Sequence, residues 1–320
     1  MRTARQMNHD NPCVSVIIVN YNGRKYLYDC VSSLFNQTKE LSLEVFVIDN
    51  NSTDGSAEEI AQAFPQVTLI KNLKNVGFAK ANNIALTKSR GKYIMLLNPD
   101  TVILDRAIEK LVAFLDKSSQ ASAVGCKLLN DDLSLQRSIG SFPSWTNQIA
   151  RTFNLHRLLP MVSVFQEIIT ANSRYSTTHP VDWLFGAAIV IRRDTVDEIG
   201  LLDDSFFLFS EEKDWCYRLK GAGKHIFYYP DAEIIHYGRG STTNPKSFTL
   251  LALGRLKFIK KHYSTLAYGA FFILTILTML RNTVIWGALK YIPTQRKRAA
   301  QRYAAHRQAF LQLVRFRETV

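Results

Sequence analysis

The chain has 320 residues, of which 47% are hydrophobic, a composition that supports a full core and excludes a disordered protein. Its net charge of +13 lies almost entirely in the C-terminal region. Residues 255–320 hold 13 Lys and Arg and one acid, and the other 254 residues hold 27 basic and 26 acidic groups. Four widely separated cysteines argue against a disulfide framework or a zinc site and favour a reducing compartment. Residues 1–12 lack an apolar run, so we expect a flexible N-terminus without a secretory signal.

Short apolar runs alternate with helical patterns from residue 14 onward. Residues 14–19, 43–48, 67–70 and 93–97 are predicted as strands. Helical spacing predicts a helix between the first two strands and another over residues 78–89, and Ser56-Ala-Glu-Glu59 predicts a capping box at the start of a third. This alternation predicts an α/β domain with a largely parallel sheet.

All four predicted strands end in Asn or Asp, and the fourth ends in Asn98-Pro99-Asp100. Since the carboxyl ends of parallel strands meet at one edge, these side chains predict a polar ligand site there. The chain has neither a Gly-x-Gly-x-x-Gly nor a Gly-x-x-x-x-Gly-Lys-Ser/Thr motif, which argues against a glycine-cradled dinucleotide or triphosphate. Two interpretations of these polar residues remain. They could bind a nucleotide diphosphate through a bridging metal ion, or Asn98-Pro99-Asp100 could form a simple Asx-type turn before a helix near Leu104.

The second half of the chain is less regular. Residues 181–193 are predicted as one long strand, bent at Gly186. Ser210 is predicted to cap a helix whose first turn carries three acids, Glu211, Glu212 and Asp214. These acids suit either the dipole of a helix N-terminus or a general base with its supporting partners. His236 follows a short apolar strand, where most lone histidines are neither ligands nor catalysts.

Taken in order, several segments resemble the inverting glycosyltransferases of family 2, which have the GT-A fold. The resemblance extends over residues 14–241 and is greatest to bacterial rhamnosyltransferase-type members. It rests on residues 16–22, 47–56, 75–83, 97–101, 185–187 and 211–215 and on His236.

The resemblance implies a GT-A domain over residues 13–245, a mixed and mostly parallel sheet flanked by helices. Asn98 stands where the family's Asp-x-Asp motif has its first acid, and Asp100 is the surviving acid. The implied metal ligands for Mg²⁺ or Mn²⁺ are Asp100 and His236, and the implied base is Glu212, with Glu211 and Asp214 as near alternatives. The implied donor-binding residues are Asn20, Asn22, Asp49, Asn75, Gly77, Asn98 and Asp100. Trp183, Gly186 and Ala187 are implied to lie near the sugar and the acceptor.

The C-terminal residues 246–320 are predicted as a basic, helical membrane-attachment region. Residues 266–280 are apolar but shorter than the roughly 20 residues that a spanning helix needs, and Arg281-Asn282 interrupts the pattern. Basic residues on both sides favour a shallow helical hairpin or an in-plane helix, and residues 299–316 suit an anionic lipid surface. The alternatives are a buried or dimer-interface helix and, less in keeping with an apolar hairpin, nucleic-acid binding.

The sequence thus predicts a peripheral or monotopic enzyme on the cytoplasmic face of the inner (plasma) membrane. It would transfer a sugar from a nucleotide-diphosphate donor, dTDP-rhamnose first and UDP-sugars next, to a glycan or polyprenyl-diphosphate-linked acceptor in the synthesis of a cell-surface polysaccharide such as O-antigen. No nucleic-acid partner is expected. The alternatives are a sugar-phosphate nucleotidyltransferase and a degenerate nucleotide-sugar-binding scaffold. The former usually has a glycine- and basic-rich loop after the first strand, which Asn20-Tyr21-Asn22-Gly23 is not.

Overall fold

The computed structural model describes residues 12–159, 162–238 and 245–316, so the prediction for residues 1–12 lies almost entirely outside it. The strands are β1 Val14–Asn20, β2 Leu43–Asp49, β3 Thr68–Lys71, β4 Tyr93–Leu97, β5 Thr101–Ile103, β6 Ala121–Leu129, β7 Leu135–Gln136, β8 Ile139–Gly140, β9 His179–Val181, β10 Trp183–Leu184, β11 Ala188–Arg192 and β12 His225–His236. The α-helices are α1 Arg24–Gln37, α2 Ser56–Ala63, α3 Phe78–Leu86, α4 Ala107–Lys117, α5 Trp145–Thr152, α6 Leu155–Leu158, α7 Arg193–Ile199, α8 Glu211–Gly221, α9 Pro245–His262, α10 Thr265–Leu289 and α11 Arg296–Phe316. Short 3-10 turns lie at Ser163–Phe165, Asn172–Tyr175 and Pro293–Gln295.

A mixed sheet forms the centre of the molecule, in the order β3-β2-β1-β4-β11-β6-β12-β5. Strands β1 to β4, β6 and β12 run in one direction, and β5 and β11 run in the other. The strands β1 and β4 are buried over their whole length, as expected for continuous apolar runs covered by helices on both faces. The predicted α/β sheet flanked by helices is confirmed.

Three predictions about local structure are wrong. Ser210 lies at the N-cap of α8, but its side chain makes no capping hydrogen bond. The stretch 181–193 is not one strand: after the last residue of β9 it contains β10 and β11, which belong to different sheets and are separated by a turn at residues 185–187. The capping box at Ser56 does not form: Gly55, at φ +79°, precedes α2, and the Ser56 hydroxyl hydrogen-bonds to Asp54 instead.

Of the two forms predicted for the C-terminal apolar segment, a hairpin broken at Arg281-Asn282 is not observed, and an in-plane helix stays a prediction. Helix α10 is continuous from Thr265 to Leu289 and passes straight through Arg281. The guanidinium of Arg281 donates to the carbonyl of Thr152 at the end of α5 and to the side chain of Asn282, so its charge is accommodated without a break in the helix. Among the described residues, it is the one helix that is long and apolar enough to cross a membrane, with a mean hydropathy of 1.6. Phe271, Thr275, Thr278 and Met279 are its buried residues.

Helix α9 packs on the central domain through Asp214 of α8. This carboxylate is fully buried and accepts from Arg218 Nε (3.0 Å), Lys261 Nζ (2.7 Å) and His262 Nε2 (2.7 Å). Burial alone would raise the pKa of Asp214, but hydrogen bonds from the three bases outweigh it and lower the pKa below its ordinary value. Asp214 is thus an anchor between α8 and α9.

We expect Asp214→Asn to lower the free energy of unfolding by about 3 kcal/mol, because it removes the buried counter-charge that three partly buried basic groups share. A carboxyl with a lowered pKa stabilises the fold above its unfolded pKa, and this contribution is lost as the pH falls through its folded pKa. Urea denaturation between pH 7 and pH 3 should therefore show less pH dependence for the variant than for the unsubstituted protein. Asp197→Asn, at an exposed position, is the control, and equal losses from both variants would contradict the anchoring role.

Candidate active site

Asn20 ends β1 and connects the two loops at the carboxyl edge of the sheet. Its side chain is fully buried, and its amide nitrogen lies 3.0 Å from Asp49 Oδ1, 3.1 Å from Ser52 Oγ and 2.7 Å from Ser56 Oγ. Its amide oxygen accepts from the N–H of Gly23. All polar atoms of the Asn20 side chain are therefore used to hold the loops together.

Asn22 and Asp49 complete this connection. Asp49 is almost fully buried, and its Oδ2 accepts from the Ser52 N–H (3.1 Å). Asn22 is exposed at φ +54°, and its amide oxygen accepts from the Thr53 N–H (2.8 Å). Of these predicted donor-binding residues, Asn22 is the one open to solvent.

The loop before α3 connects the same edge to the loop before α8. Asn75 Oδ1 accepts from the Gly77 N–H (2.9 Å), and Gly77 has φ +88°. A Cβ on Gly77 would lie 2.5 Å from the carbonyl oxygen of Phe207, so this close approach requires glycine. Asn50, which the sequence analysis did not select, supports the loop by accepting from Asn72 (2.9 Å) and donating to the Gly77 carbonyl (3.1 Å).

Asp100 and His236 meet because β5 pairs with the end of β12. The register places His236 opposite Thr101, and His236 Nε2 lies 3.3 Å from Asp100 Oδ1 and 3.3 Å from Asn98 Nδ2. Asp100 Oδ2 also accepts from the Gly238 N–H (3.1 Å). Burial works against ionisation of Asp100, but its bond to His236 outweighs it and lowers the pKa of the carboxyl.

Gln136, on β7, determines which nitrogen of His236 carries the proton. Its Nε2 donates to the Asn130 side-chain oxygen (3.0 Å) and the His236 carbonyl (3.0 Å), which fixes the orientation of the amide. Its Oε1 therefore faces His236 Nδ1 at 2.6 Å and accepts a proton from it. Nε2 is then the nitrogen that faces Asp100. It donates to the carboxylate when the imidazole is protonated, and it offers its lone pair to a metal ion when the imidazole is neutral.

These residues fit a divalent metal that is shared with a substrate. Among the residues that the structure describes, no three His, Cys, Asp or Glu side chains converge on one point. One carboxylate and one correctly protonated imidazole instead match a site in which substrate phosphate and water supply the other ligands, as Mg²⁺ prefers. Gln136 is the residue that the sequence analysis missed here, because it lies 100 residues from His236.

We expect Gln136→Leu to weaken Mn²⁺ binding in the presence of uridine or thymidine diphosphate by about 10- to 100-fold, since the imidazole loses its orienting acceptor. Electron paramagnetic resonance of free Mn²⁺ measures this directly. Gln62→Leu, on the exposed face of α2, should leave the affinity unchanged. An unaltered affinity in Gln136→Leu would show that this amide does not orient the ligand.

Glu212 and Glu211 open α8 in different environments. Glu212 is half-buried beside the turn at Gly186, where an added Cβ would lie 3.5 Å from Glu212 Cβ. Glu211 is 4% exposed, and its Oε2 has no hydrogen-bond partner among the described residues. Burial raises the pKa of Glu212, and Lys213 offsets part of the rise; burial and then the charge of Glu212 raise the pKa of Glu211 well above its ordinary value.

The turn at Gly186 connects these acids to the Asp100 end of the site. The Asn98 N–H donates to the Ala187 carbonyl (2.9 Å), next to Gly186. Trp183 is 4% exposed, donates to the Ser141 carbonyl and stacks on Phe185. The structure thus brings Gly186, Ala187, Asn98 and Glu212 together. Trp183 is a buried packing residue next to this turn.

A buried cluster of charges lies beside α8. Glu167 accepts from Lys213 Nζ and from Arg255 Nε (2.8 Å), and it lies 3.8 Å from Arg151 Nη1. Burial opposes the charge of Glu167, but Arg255, Lys213 and Arg151 hold its pKa below the ordinary range. None of these residues is predicted from the sequence, because no local pattern indicates contacts between elements so distant in the chain.

Similarity to known proteins extends over most of the chain. The model of the family described as glycosyl transferase family 2 matches residues 15–175. The N-acetylglucosaminyl-diphospho-decaprenol L-rhamnosyltransferase of Mycobacterium tuberculosis (strain ATCC 25618 / H37Rv) is 26% identical over 263 residues, which cover 76% of this chain and 82% of the relative. Rhamnosyltransferase WbbL of Escherichia coli (strain K12) is 24% identical over 232 residues, which cover 70% of this chain and 83% of the relative.

Solved structures share the fold. The mannosyltransferase PcManGT from Pyrobaculum calidifontis, in complex with GDP-Man and Mn2+, matches with a TM-score of 0.57 at 15% identity, covering 96% of this chain and 88% of that one. GalNAc-T7, with UDP, GalNAc and Mn2+, matches with a TM-score of 0.58 at 16% identity, covering 96% of this chain and 57% of that one. These likenesses identify the GT-A fold.

Proposed function

The chain belongs to glycosyltransferase family 2, and on that premise we propose that it transfers a sugar, with rhamnose as the first candidate, from a nucleotide-diphosphate donor to a lipid-linked acceptor with inversion. The observation that supports this proposal is that the Gly186–Ala187 turn lies against Glu212 and also accepts from the N–H of Asn98, whose side chain lies beside the Asp100–His236 pair. A base on one side of the reacting carbon and charge neutralisation on the other are what a single displacement needs.

Glu212 acts as the general base in this proposal. Its raised pKa makes its carboxylate a better proton acceptor near neutral pH, and it accepts the proton of the acceptor hydroxyl as that oxygen attacks the anomeric carbon. Glu211 has the higher tendency to stay protonated, so it leaves Glu212 as the ionised member of the pair. Asp214 stays paired with α9.

The loops at the carboxyl edge of the sheet bind the donor nucleotide in this proposal. Asn22, with Asn75 and Gly77 beside it, contacts the nucleotide, and Asn20 and Asp49 hold the loops that shape its site. Asp100 and His236 would hold Mg²⁺ or Mn²⁺, and Asn98 lies beside them with a neutral amide. When bound, this cation would neutralise the charge that develops on the leaving diphosphate.

Attachment to a membrane is proposed from an apolar surface that α10 shares with α5 and α6. Phe153 (64% exposed), Leu158 (73%), Ile273 (60%) and Val284 (65%) present large apolar side chains to solvent. A lipid bilayer suits this surface because basic side chains of the same helices lie beside it. Since α9 packs on the central domain, we place the start of the attachment region after His262, on the cytoplasmic face. Phe153→Asp should reduce flotation with phosphatidylglycerol vesicles, and Leu201→Asp, on another surface, should not.

The decisive experiment for the transfer reaction is product formation. Purified full-length protein, Mn²⁺ and a polyprenyl-diphosphate-linked N-acetylglucosamine acceptor are incubated with dTDP-rhamnose or, separately, with UDP-sugars. We expect free nucleoside diphosphate and a glycosylated lipid with one of these donors. Tight donor binding without either product would support the alternative of a nucleotide-sugar-binding scaffold.

A further inference from the structure

Five basic side chains from four helices come together beside the active site. They are Arg151 of α5, Arg157 of α6, Arg281 of α10, and Arg302 and His306 of α11, and we call them the basic cluster. Arg151, Arg157, Arg281 and Arg302 all act electrostatically on the His306 imidazole. Burial first and then these four charges lower the pKa of His306 to about 4, so that the imidazole is neutral at pH 7.

Two buried nitrogens in and beside the cluster lack a partner. His306 is 6% exposed and its Nδ1 has no hydrogen-bond partner among the described residues, and the same holds for Nη2 of Arg255, which is 7% exposed. Buried polar atoms are nearly always hydrogen-bonded, and each one left without a partner costs free energy. Like charges held together with unpaired nitrogens are unfavourable unless an anion joins them.

The carboxylate nearest the cluster is already engaged. Glu167 lies 3.8 Å from Arg151, but it is also paired with Lys213 and Arg255. This one negative charge therefore cannot neutralise the cluster, whose exposed members, Arg157 and Arg302, leave it open to solvent.

The position of the cluster connects the base to the apolar surface. Lys213 follows Glu212 directly in α8, and Glu167 links Lys213 to Arg151, so one carboxylate separates the base helix from the cluster. On its other side, Arg281 interrupts the apolar sequence of α10, whose Leu277 and Val284 are exposed. A ligand with a sugar, an anion and a lipid in sequence matches this order of environments.

We propose that the basic cluster binds the diphosphate of a polyprenyl-diphosphate-linked acceptor, with the acceptor sugar at Glu212 and the lipid along the exposed apolar side chains of α5, α6 and α10. This inference rests on the proposed function. Arginine forks suit phosphate oxygens because they donate two hydrogen bonds in parallel. The buried nitrogens of His306 and Arg255 favour a discrete site over diffuse attraction to lipid headgroups, which would need surface charge alone.

The site is tested by binding of farnesyl diphosphate in detergent micelles, measured by calorimetry. Arg157→Gln/Arg302→Gln changes two exposed side chains, so the fold is retained, and we expect its affinity for farnesyl diphosphate to be at least 10-fold weaker. Arg307→Gln, on α11 but outside the basic cluster, is the matched control and should change the affinity less than twofold. Farnesol should bind weakly to all three proteins.

Two further measurements separate the sources of an effect. The affinity for nucleoside diphosphate with Mn²⁺ should be the same in all variants. The affinity for phosphatidylglycerol vesicles should change equally in Arg307→Gln and in either single variant, Arg157→Gln or Arg302→Gln. The proposal is overturned if farnesyl diphosphate binds no better than farnesol, or if Arg307→Gln weakens its binding as much as the double variant. Absence of sugar transfer with every donor would refute the proposed function. The binding of farnesyl diphosphate would still show whether the basic cluster is a diphosphate site.

Discussion

Replacing Glu212 by glutamine is expected to lower kcat for sugar transfer by about 10²- to 10⁴-fold, the usual contribution of a general base. The amide has nearly the size and shape of the carboxyl group, so the packing against Gly186 is retained. It has no basic oxygen that can accept the proton of the acceptor hydroxyl. Binding of the nucleotide, measured by calorimetry with Mn²⁺, should be unchanged, because Glu212 does not belong to the donor loops.

The pH dependence of kcat/KM provides a second measure of the same role. Only the ionised carboxylate accepts a proton, so the rate should rise as the pH increases through the raised pKa of Glu212 and then level off. This rise should be absent from Glu212→Gln, and a profile identical to that of the unsubstituted protein would refute the assignment.

Glu211→Gln is the matched control for Glu212→Gln. Because burial and the charge of Glu212 favour the protonated form of Glu211, glutamine resembles the state that this side chain already has. We expect Glu211→Gln to keep kcat within about tenfold of the unsubstituted enzyme. If instead Glu211→Gln abolishes transfer and Glu212→Gln does not, the neighbouring residue is the base.

Apolar runs in the sequence predict much of the sheet, but they do not predict its shortest strands. Strands β1 to β4 are short runs rich in apolar residues, and their predicted bounds differ from those observed by one residue at most. Strand β5 has three residues, too few for any periodicity, yet its pairing with β12 is what places His236 against Asp100. At the level of the sequence, only the family resemblance predicts that these two residues meet.

The three acids of α8 illustrate a different limit. Their spacing in sequence makes Glu211, Glu212 and Asp214 nearly equivalent candidates for the base. They differ because His262 and Lys261, nearly 50 residues later, pair with Asp214. Such contacts depend on how α9 packs, and no local pattern in the sequence of α8 contains that information.

Because the chain has Asn98 where the family usually has an acid, few groups are left to bind the metal ion. Asn98 has a neutral amide whose Nδ2 lies 3.3 Å from His236 Nε2, and the carboxylate nearest this imidazole in the described residues is that of Asp100. An amide cannot supply the negative charge that an acid would provide at this position. The protein's share of the charge at the cation therefore depends on a single side chain.

Asp100→Asn is accordingly expected to lower kcat/KM by about 10³-fold or more, because a bound metal ion contributes several kcal/mol of transition-state charge stabilisation. The affinity for Mn²⁺ in the presence of nucleoside diphosphate, measured by electron paramagnetic resonance, should fall in parallel, and it reports the site independently of turnover. Asp105→Asn, five residues further on at an exposed carboxylate paired with Lys110, is the control and should leave both quantities unchanged. Retention of Mn²⁺ affinity by Asp100→Asn would place the cation elsewhere in the cleft.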